Sequence, residues 1–152
     1  MKTVIRLATS NDCQAMYGLI EELAVFVNAK DQLNISPNQL VQDGFGEQPI
    51  FKAFVAIENE TVIGTAIFYP KYSTWKGKAI YLEDLVVKES HRGRKIGSSL
   101  FESVVQYAKE FGATRMDWQV YDFNKPGLAF YKKYNAKLEE GWINGYLFPN
   151  QF

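Results

Sequence analysis

Cysteine and histidine are almost absent from this chain: Cys13 and His91 stand alone. One thiol cannot close an intrachain disulfide, and one Cys with one His cannot furnish a zinc cluster, so no metal is expected. Net charge is missing too. Lys+Arg and Asp+Glu each count 17, which leaves no basic surplus to hold nucleic acid through its phosphates. No stretch approaches the roughly 20 apolar residues that cross a bilayer. The N-terminal "MKTVIRLATSND" turns polar before any long apolar run, so neither a membrane partner nor a secretory leader is expected. Repeats, low-complexity tracts and linkers are also lacking. What remains, 47% hydrophobic and 22% charged residues over 152 positions, is the composition of a globular domain with a real core. The expectation is one cytoplasmic domain over residues 1–152.

Hydrophobic spacing sets the layout. "TVIRLA" reads as a strand, and Thr9 or Ser10 then caps a helix with Met16, Leu19, Ile20, Leu23, Phe26 and Val27 on one face, fraying near Asn28. "SPNQLVQDG" has a Ser cap, a Pro in the first turn and Gly44 placed to end a second helix. "FKAFVAIE" and "TVIGTAIFYP" form a hairpin about Asn59 and Glu60, "YSTWKGK" is a turn, and "AIYLEDLVV" is the next strand. Leu100, Val104, Ala108 and Phe111 stripe a helix closed by Gly112. "TRMDWQVYD" is a strand, and "NKPGLAFYKKY" a helix capped by Asn124. "AKLEEGWINGYLF" reads as two short strands about Asn144-Gly145. The order β-α-α-β-β-β-α-β-α-β-β gives a single α/β domain with a mixed central sheet flanked by helices.

Within "AIYLEDLVV" two carboxylates, Glu83 and Asp84, interrupt an otherwise apolar strand. Strand side chains alternate between faces, so simple alternation sends Glu83 one way and Asp84 the other. An unpaired buried charge costs several kcal/mol, which makes the pair a candidate for function. The strand runs into "SHRGRKIGSSL", a basic, glycine-bearing loop that opens a helix. Unpaired amides and the positive end of a helix dipole meet there, an arrangement that favours phosphate. Neither GxxxxGK[ST] nor GxGxxG is present, so this is not a nucleoside-triphosphate or dinucleotide loop.

Strand, "RGRKIGSSL" and amphipathic helix resemble the acetyl-CoA loop of GNAT-superfamily N-acetyltransferases, roughly (Q/R)-x-x-G-x-(G/A). With "LIEELA", "DGFGEQP", "YSTWKG", "YLEDLVV", "NKPGLAFYKK" and "EEGW" in order, nearly the whole chain is similar to the diamine (spermidine/spermine) and thialysine N-acetyltransferase branch. The resemblance implies the GNAT fold, acetyl-CoA as cosubstrate, a small-molecule amine as acceptor and a homodimer. It implies that the backbone of Leu85, Val86 and Val87 holds pantetheine and the acetyl carbonyl. Arg92, Gly93, Arg94, Lys95, Ile96, Gly97 and Ser98 correspond to the pyrophosphate loop. Asn124, Lys125 and Pro126 correspond to further cofactor contacts, and Tyr131 to the general acid. Glu83, Asp84, Asp117, Trp118, Gln119 and Glu140 correspond to acceptor contacts. Two positions depart from the pattern. Lys95 stands where the loop has a glycine, and Phe26-Val27 stands where polyamine-type relatives carry an aromatic-acid pair.

These residue types suit amide formation from a thioester. An alkyl amine with a pKa near 10 is almost wholly protonated at neutral pH. A nearby carboxylate attracts the cation and accepts its proton, the role expected of Glu83. A bulge or splay near Leu85–Val86 would free a backbone N–H for the acetyl oxygen. Tyr131, two helical turns after Asn124, can supply the proton for the leaving thiolate. Trp75, Trp118, Tyr121 and Trp142 line an amine pocket or belong to the core. Other acceptors stay open: a protein N-terminus, a lysine side chain or an antibiotic amine. So does a non-catalytic acyl-CoA-binding module.

Overall fold

The computed structural model describes residues 2–152, which divide into two compact units, one up to Gln119 and the other Val120–Phe152. The first unit holds a five-stranded sheet in the order β1-β2-β3-β4-β5, formed by β1 (Val4–Leu7), β2 (Lys52–Glu58), β3 (Thr61–Ser73), β4 (Gly77–Val87) and β5 (Arg115–Trp118). Neighbours are antiparallel except β4 and β5, which run parallel. Three helices serve this sheet: α1 (Cys13–Phe26), α2 (Pro37–Phe45) and α3 (Ile96–Phe111). The expected mixed sheet flanked by helices is thus observed.

Local chemistry accounts for the elements. Thr9 and Asp12 form a reciprocal capping box on a 3-10 turn that leads into α1. Asn59 and Glu60, both at positive φ, make the two-residue turn between β2 and β3. Ser36 accepts a hydrogen bond from the Gln39 amide to cap α2, with Pro37 in the first turn. Gly44 does not end that helix as expected. It is buried within α2, where an added Cβ would run into the Phe51 ring. Close packing, rather than helix termination, requires glycine there.

The two sheet faces have different cores. On one, Met16 of α1 packs with Ala53, Val55 and Ile67. On the other, Phe54 and Phe68 stack, Phe68 meets Tyr107 of α3, and Trp118 meets Phe101 edge-on at 5.6 Å. Among the described residues no helix is long and apolar enough to cross a membrane.

The second unit contains α4 (Lys125–Lys132), capped as expected by Asn124, whose Oδ1 accepts from the Gly127 amide at 3.1 Å. The two final strands expected over residues 136–148 are absent. That segment has no strand partner; from Lys137 onward its side chains lie exposed, and a 3-10 turn at Pro149–Gln151 closes the chain. An apolar run makes a strand only when another edge satisfies its amides and carbonyls.

Candidate active site

The structure resolves the puzzle of the adjacent acids through a bulge. Asp84 pairs with Ile67 and Leu82 with Phe68, so Glu83 is the extra residue of β4. A bulged residue opposes no partner of its own and shifts the alternation by one. Leu82 shares the α3 face with Phe68, while Glu83 and Asp84 both turn to the α1 face. The expectation that Asp84 points away from Glu83 is therefore incorrect. The irregularity also falls two residues before the expected Leu85–Val86. Just there the parallel ladder to β5 ends, at the Leu82–Trp118 pair. Beyond it, Glu83 to Val87 run on past the end of β5, and the two strands part.

Around the bulge the α1 face carries a polar cluster. Tyr69 donates its hydroxyl proton to Glu83 Oε2 at 2.7 Å and packs against Tyr81 at 5.4 Å between ring centroids. Burial, and then the hydrogen bond to Glu83, push the Tyr69 phenol well above its ordinary value, so it stays a donor. Burial is also the first cause that raises the Asp84 carboxyl to about 6, with the Glu83 charge second. Asp117 lies beside Tyr81 in the β4–β5 register and pairs with Lys71 at 3.1 Å and Arg115 at 2.6 Å.

Glu83, Asp84 and Asp117 therefore share one face. Trp118 does not join them, because it packs on Phe101 on the α3 side. Gln119 follows the end of β5. Trp75 is 89% and Trp142 79% exposed, so neither belongs to the core. Sequence reasoning missed Tyr69, Lys71, Tyr81 and Arg115. Aligning the β3 hairpin on its turn would have exposed the Tyr69–Tyr81 pair; the Lys71 and Arg115 contacts needed the third strand.

The loop from β4 to α3 approaches the same strand end. Arg92 donates from Nε to the Val87 carbonyl at 3.0 Å, and its guanidinium lies over the Phe26 ring at 5.6 Å. Arg94, expected to face phosphate, forks instead onto Glu58 at 2.6 and 3.2 Å. Thr3 also donates to that carboxylate, and His91 lies 3.9 Å from it. Arg94 holds the Glu58 carboxyl below the ordinary carboxylate range. The loop is thereby tied to the end of β2.

Gly93 at φ +77° and Lys95 at φ +64° give alternating left-handed turns. Lys95 thus adopts the backbone that the glycine of the pattern would take. No atom lies within 4 Å of a Cβ built on Gly93, and α3 has no side-chain cap. The amides of Ile96, Gly97 and Ser98 are consequently open, with exposed Arg92 and Lys95 beside them. Open amides, a loop without a crowding side chain and two cations fit the pyrophosphate of a coenzyme.

In the second unit, Asn124 caps α4 and its neighbours Lys125 and Pro126 form the first turn. Tyr131 is buried near the end of that helix, its ring edge-on to Phe130 at 5.3 Å. Glu140 is exposed. Among the described residues no group of three or more His, Cys, Asp or Glu side chains could hold a metal.

Residues 28–136 match the family described as Acetyltransferase (GNAT) family. The chain is 38% identical to thialysine N-epsilon-acetyltransferase of Bos taurus, over 91% of this chain and 88% of the relative. It is 32% identical to spermidine/spermine N(1)-acetyltransferase-like protein 1 of Homo sapiens, over 91% of this chain and 21% of that longer one. In fold it is similar to an aminoglycoside acetyltransferase from a soil metagenome, with a TM-score of 0.77 at 21% identity, covering 96% and 95% of the two chains.

Proposed function

The chain belongs to the GNAT acetyltransferase family and is an acetyl-CoA-dependent N-acetyltransferase acting on an amine; from that premise we propose that the bulged β4 segment is its reaction centre. The acceptor is a small diamine, polyamine or thialysine-like amino acid, attacking directly in a ternary complex without an acyl-enzyme. The names of the relatives support this acceptor class. The observation that carries the reading is the bulge at Glu83, which sets a carboxylate at the point where β4 and β5 separate.

Acetyl-CoA supplies the activated acetyl group. Its pyrophosphate is assigned to Arg92, Gly93, Lys95 and the amides of Ile96, Gly97 and Ser98, with Arg94 holding the loop through Glu58. The backbone of Leu85, Val86 and Val87, past the end of β5, is assigned to pantetheine and the acetyl oxygen. At the α4 helix, Asn124, Lys125 and Pro126 are assigned further cofactor contacts. Glu83, kept in place by Tyr69, attracts the ammonium and accepts the proton lost before C–N bond formation. As the C–S bond breaks, Tyr131 donates its phenolic proton to sulfur. Asp84 and Asp117 line the acceptor side, with Gln119 and Glu140 as further contacts.

Steady-state assay of CoA thiol release tests these roles. Glu83→Gln and Tyr131→Phe are each expected to lower kcat by about 100-fold or more. If both stay within about threefold, the assignments are wrong.

We further propose that the two units form one N-acetyltransferase domain, since the family match at residues 28–136 runs through both. A cytoplasmic homodimer is proposed as well. Exposed Trp142, Ile143, Tyr146, Leu147 and Phe148 offer apolar surface to a second copy.

A further inference from the structure

Two arginines stand in the loop between β4 and α3, and they are held in different ways. Arg94 gives both of its Nη groups to Glu58. Arg92 is fixed at its backbone and along its stem instead. Its amide donates to the Glu89 carbonyl at 3.2 Å, in a 3-10 turn at Glu89–His91. Its Nε donates to the Val87 carbonyl at 3.0 Å, and its guanidinium carbon lies over the Phe26 ring, 5.6 Å from the centroid. Among the described residues neither Nη group of Arg92 has a hydrogen-bond or ion-pair partner.

Phe26 reaches this position from a fixed helix end. It is the last residue of α1, and the chain beyond it closes in a Schellman motif. The Ala29 amide donates to the Ala24 carbonyl at 2.7 Å and the Asn28 amide to the Val25 carbonyl at 3.0 Å. Asn28 takes the left-handed conformation that this closure requires, at φ +57°. Further back, Met16 anchors the helix on the sheet. The Phe26 ring is nonetheless 49% exposed, so burial in the core does not account for an aromatic residue here. What a ring offers and an aliphatic side chain does not is a negative face for the cation above it.

We propose that Phe26 is a positioning residue for the coenzyme: with the Val87 carbonyl it holds Arg92 in place, leaving both Nη groups ready to fork onto the pyrophosphate. This rests on the reading of the loop as the pyrophosphate site. A free arginine loses rotamer freedom when it grips a phosphate, and that loss weakens binding. Here folding has already fixed the side chain at its stem and across its face. With Nε engaged, the two Nη groups are the pair left for parallel hydrogen bonds to phosphate oxygens. Arg94 cannot take this part while Glu58 holds it.

The test is titration calorimetry with CoA, together with steady-state kinetics in acetyl-CoA. Phe26→Leu keeps an apolar side chain and removes the ring. It should raise the Kd for CoA and the KM for acetyl-CoA by about 3-fold, the worth of one cation–π contact at an exposed site, and leave kcat unchanged. Phe26→Tyr, which restores a ring, should keep the wild-type values. Arg92→Met should weaken CoA by about 10-fold or more, as loss of a charged hydrogen bond does. Adding Phe26→Leu to Arg92→Met should weaken it no further, because the ring acts through the arginine. Unchanged affinity in Phe26→Leu, a Phe26→Tyr enzyme as weak as Phe26→Leu, or a double variant that loses the product of the two single effects overturns the proposal. Should Phe26→Leu fail to fold, Phe26→Met takes its place in the same cycle. If Arg92→Met itself binds CoA as the wild type does, the pyrophosphate reading of Arg92 falls, and this inference with it.

Discussion

At the scale of single residues, Asp84 and Lys95 occupy positions that cost stability. A carboxyl raised to about 6 in the fold binds its proton more tightly than in the unfolded chain. Its protonated form therefore favours folding at low pH, and that contribution disappears as pH rises from about 4 through 6. Asp84→Asn should stabilise the protein at pH 8 by about 2 kcal/mol, with the gap closing near pH 4. Thermal melts of both forms at the two pH values check this. Lys95 sits at φ +64°, where a side chain costs about 1–2 kcal/mol. Lys95→Gly should be neutral or stabilise by up to about 1 kcal/mol, because the added freedom of the unfolded chain offsets part of the relief. Lys95→Val should destabilise by more than about 1 kcal/mol, as a β-branched residue fits that backbone worst, and should raise the KM for acetyl-CoA. Little of this was legible beforehand. The departure at Lys95 was visible in "RGRKIG", but the orientation of Asp84 depends on one extra strand residue that alternation cannot reveal.

At the scale of elements, pairing decides what the segments become. The β2–β3 hairpin, the three helices of the first unit and the Asn124 cap were all readable, because caps, turn residues and apolar spacing act within a few positions. Gly44 was misread for the opposite reason. It has the residue type of a helix end, yet the Phe51 ring from outside the helix requires the missing Cβ. Gly44→Ala should lower the urea midpoint, corresponding to about 1–2 kcal/mol, since overpacking outweighs better helix propensity. Arg94 is a parallel case. Its place in a basic loop suggested phosphate, whereas Glu58, 36 residues earlier in the chain, claims it. Arg94→Ala should leave the buried Glu58 carboxylate with only the Thr3 hydroxyl and His91 beside it, lower the melting temperature and raise the KM for acetyl-CoA by loosening the loop.

At the scale of the whole molecule, the exposed apolar segment of residues 138–152 is the feature that asks for a partner. Leu138, Trp142, Ile143, Tyr146, Leu147, Phe148 and Phe152 are all counted among the exposed large hydrophobics. Light scattering should report twice the chain's mass, and removing residues 142–152 should leave a monomer. A monomeric full chain would refute the homodimer. The strands expected over this segment belong to the same question, for an apolar run completes a strand only against another edge.

The sequence by itself determined the α/β class, the presence of the helices and of the β2–β3 hairpin, the family and the identity of the acid pair and basic loop. Each of these depends on contacts between near neighbours or on a motif that carries its own spacing. Only the tertiary structure decided that both acids face one way, that Tyr69 grips Glu83, that Arg94 belongs to Glu58 and that Lys71 and Arg115 share one carboxylate. Those facts arise where strands distant in sequence fall into register, and register is set by the packing of the whole sheet rather than by any one of its segments.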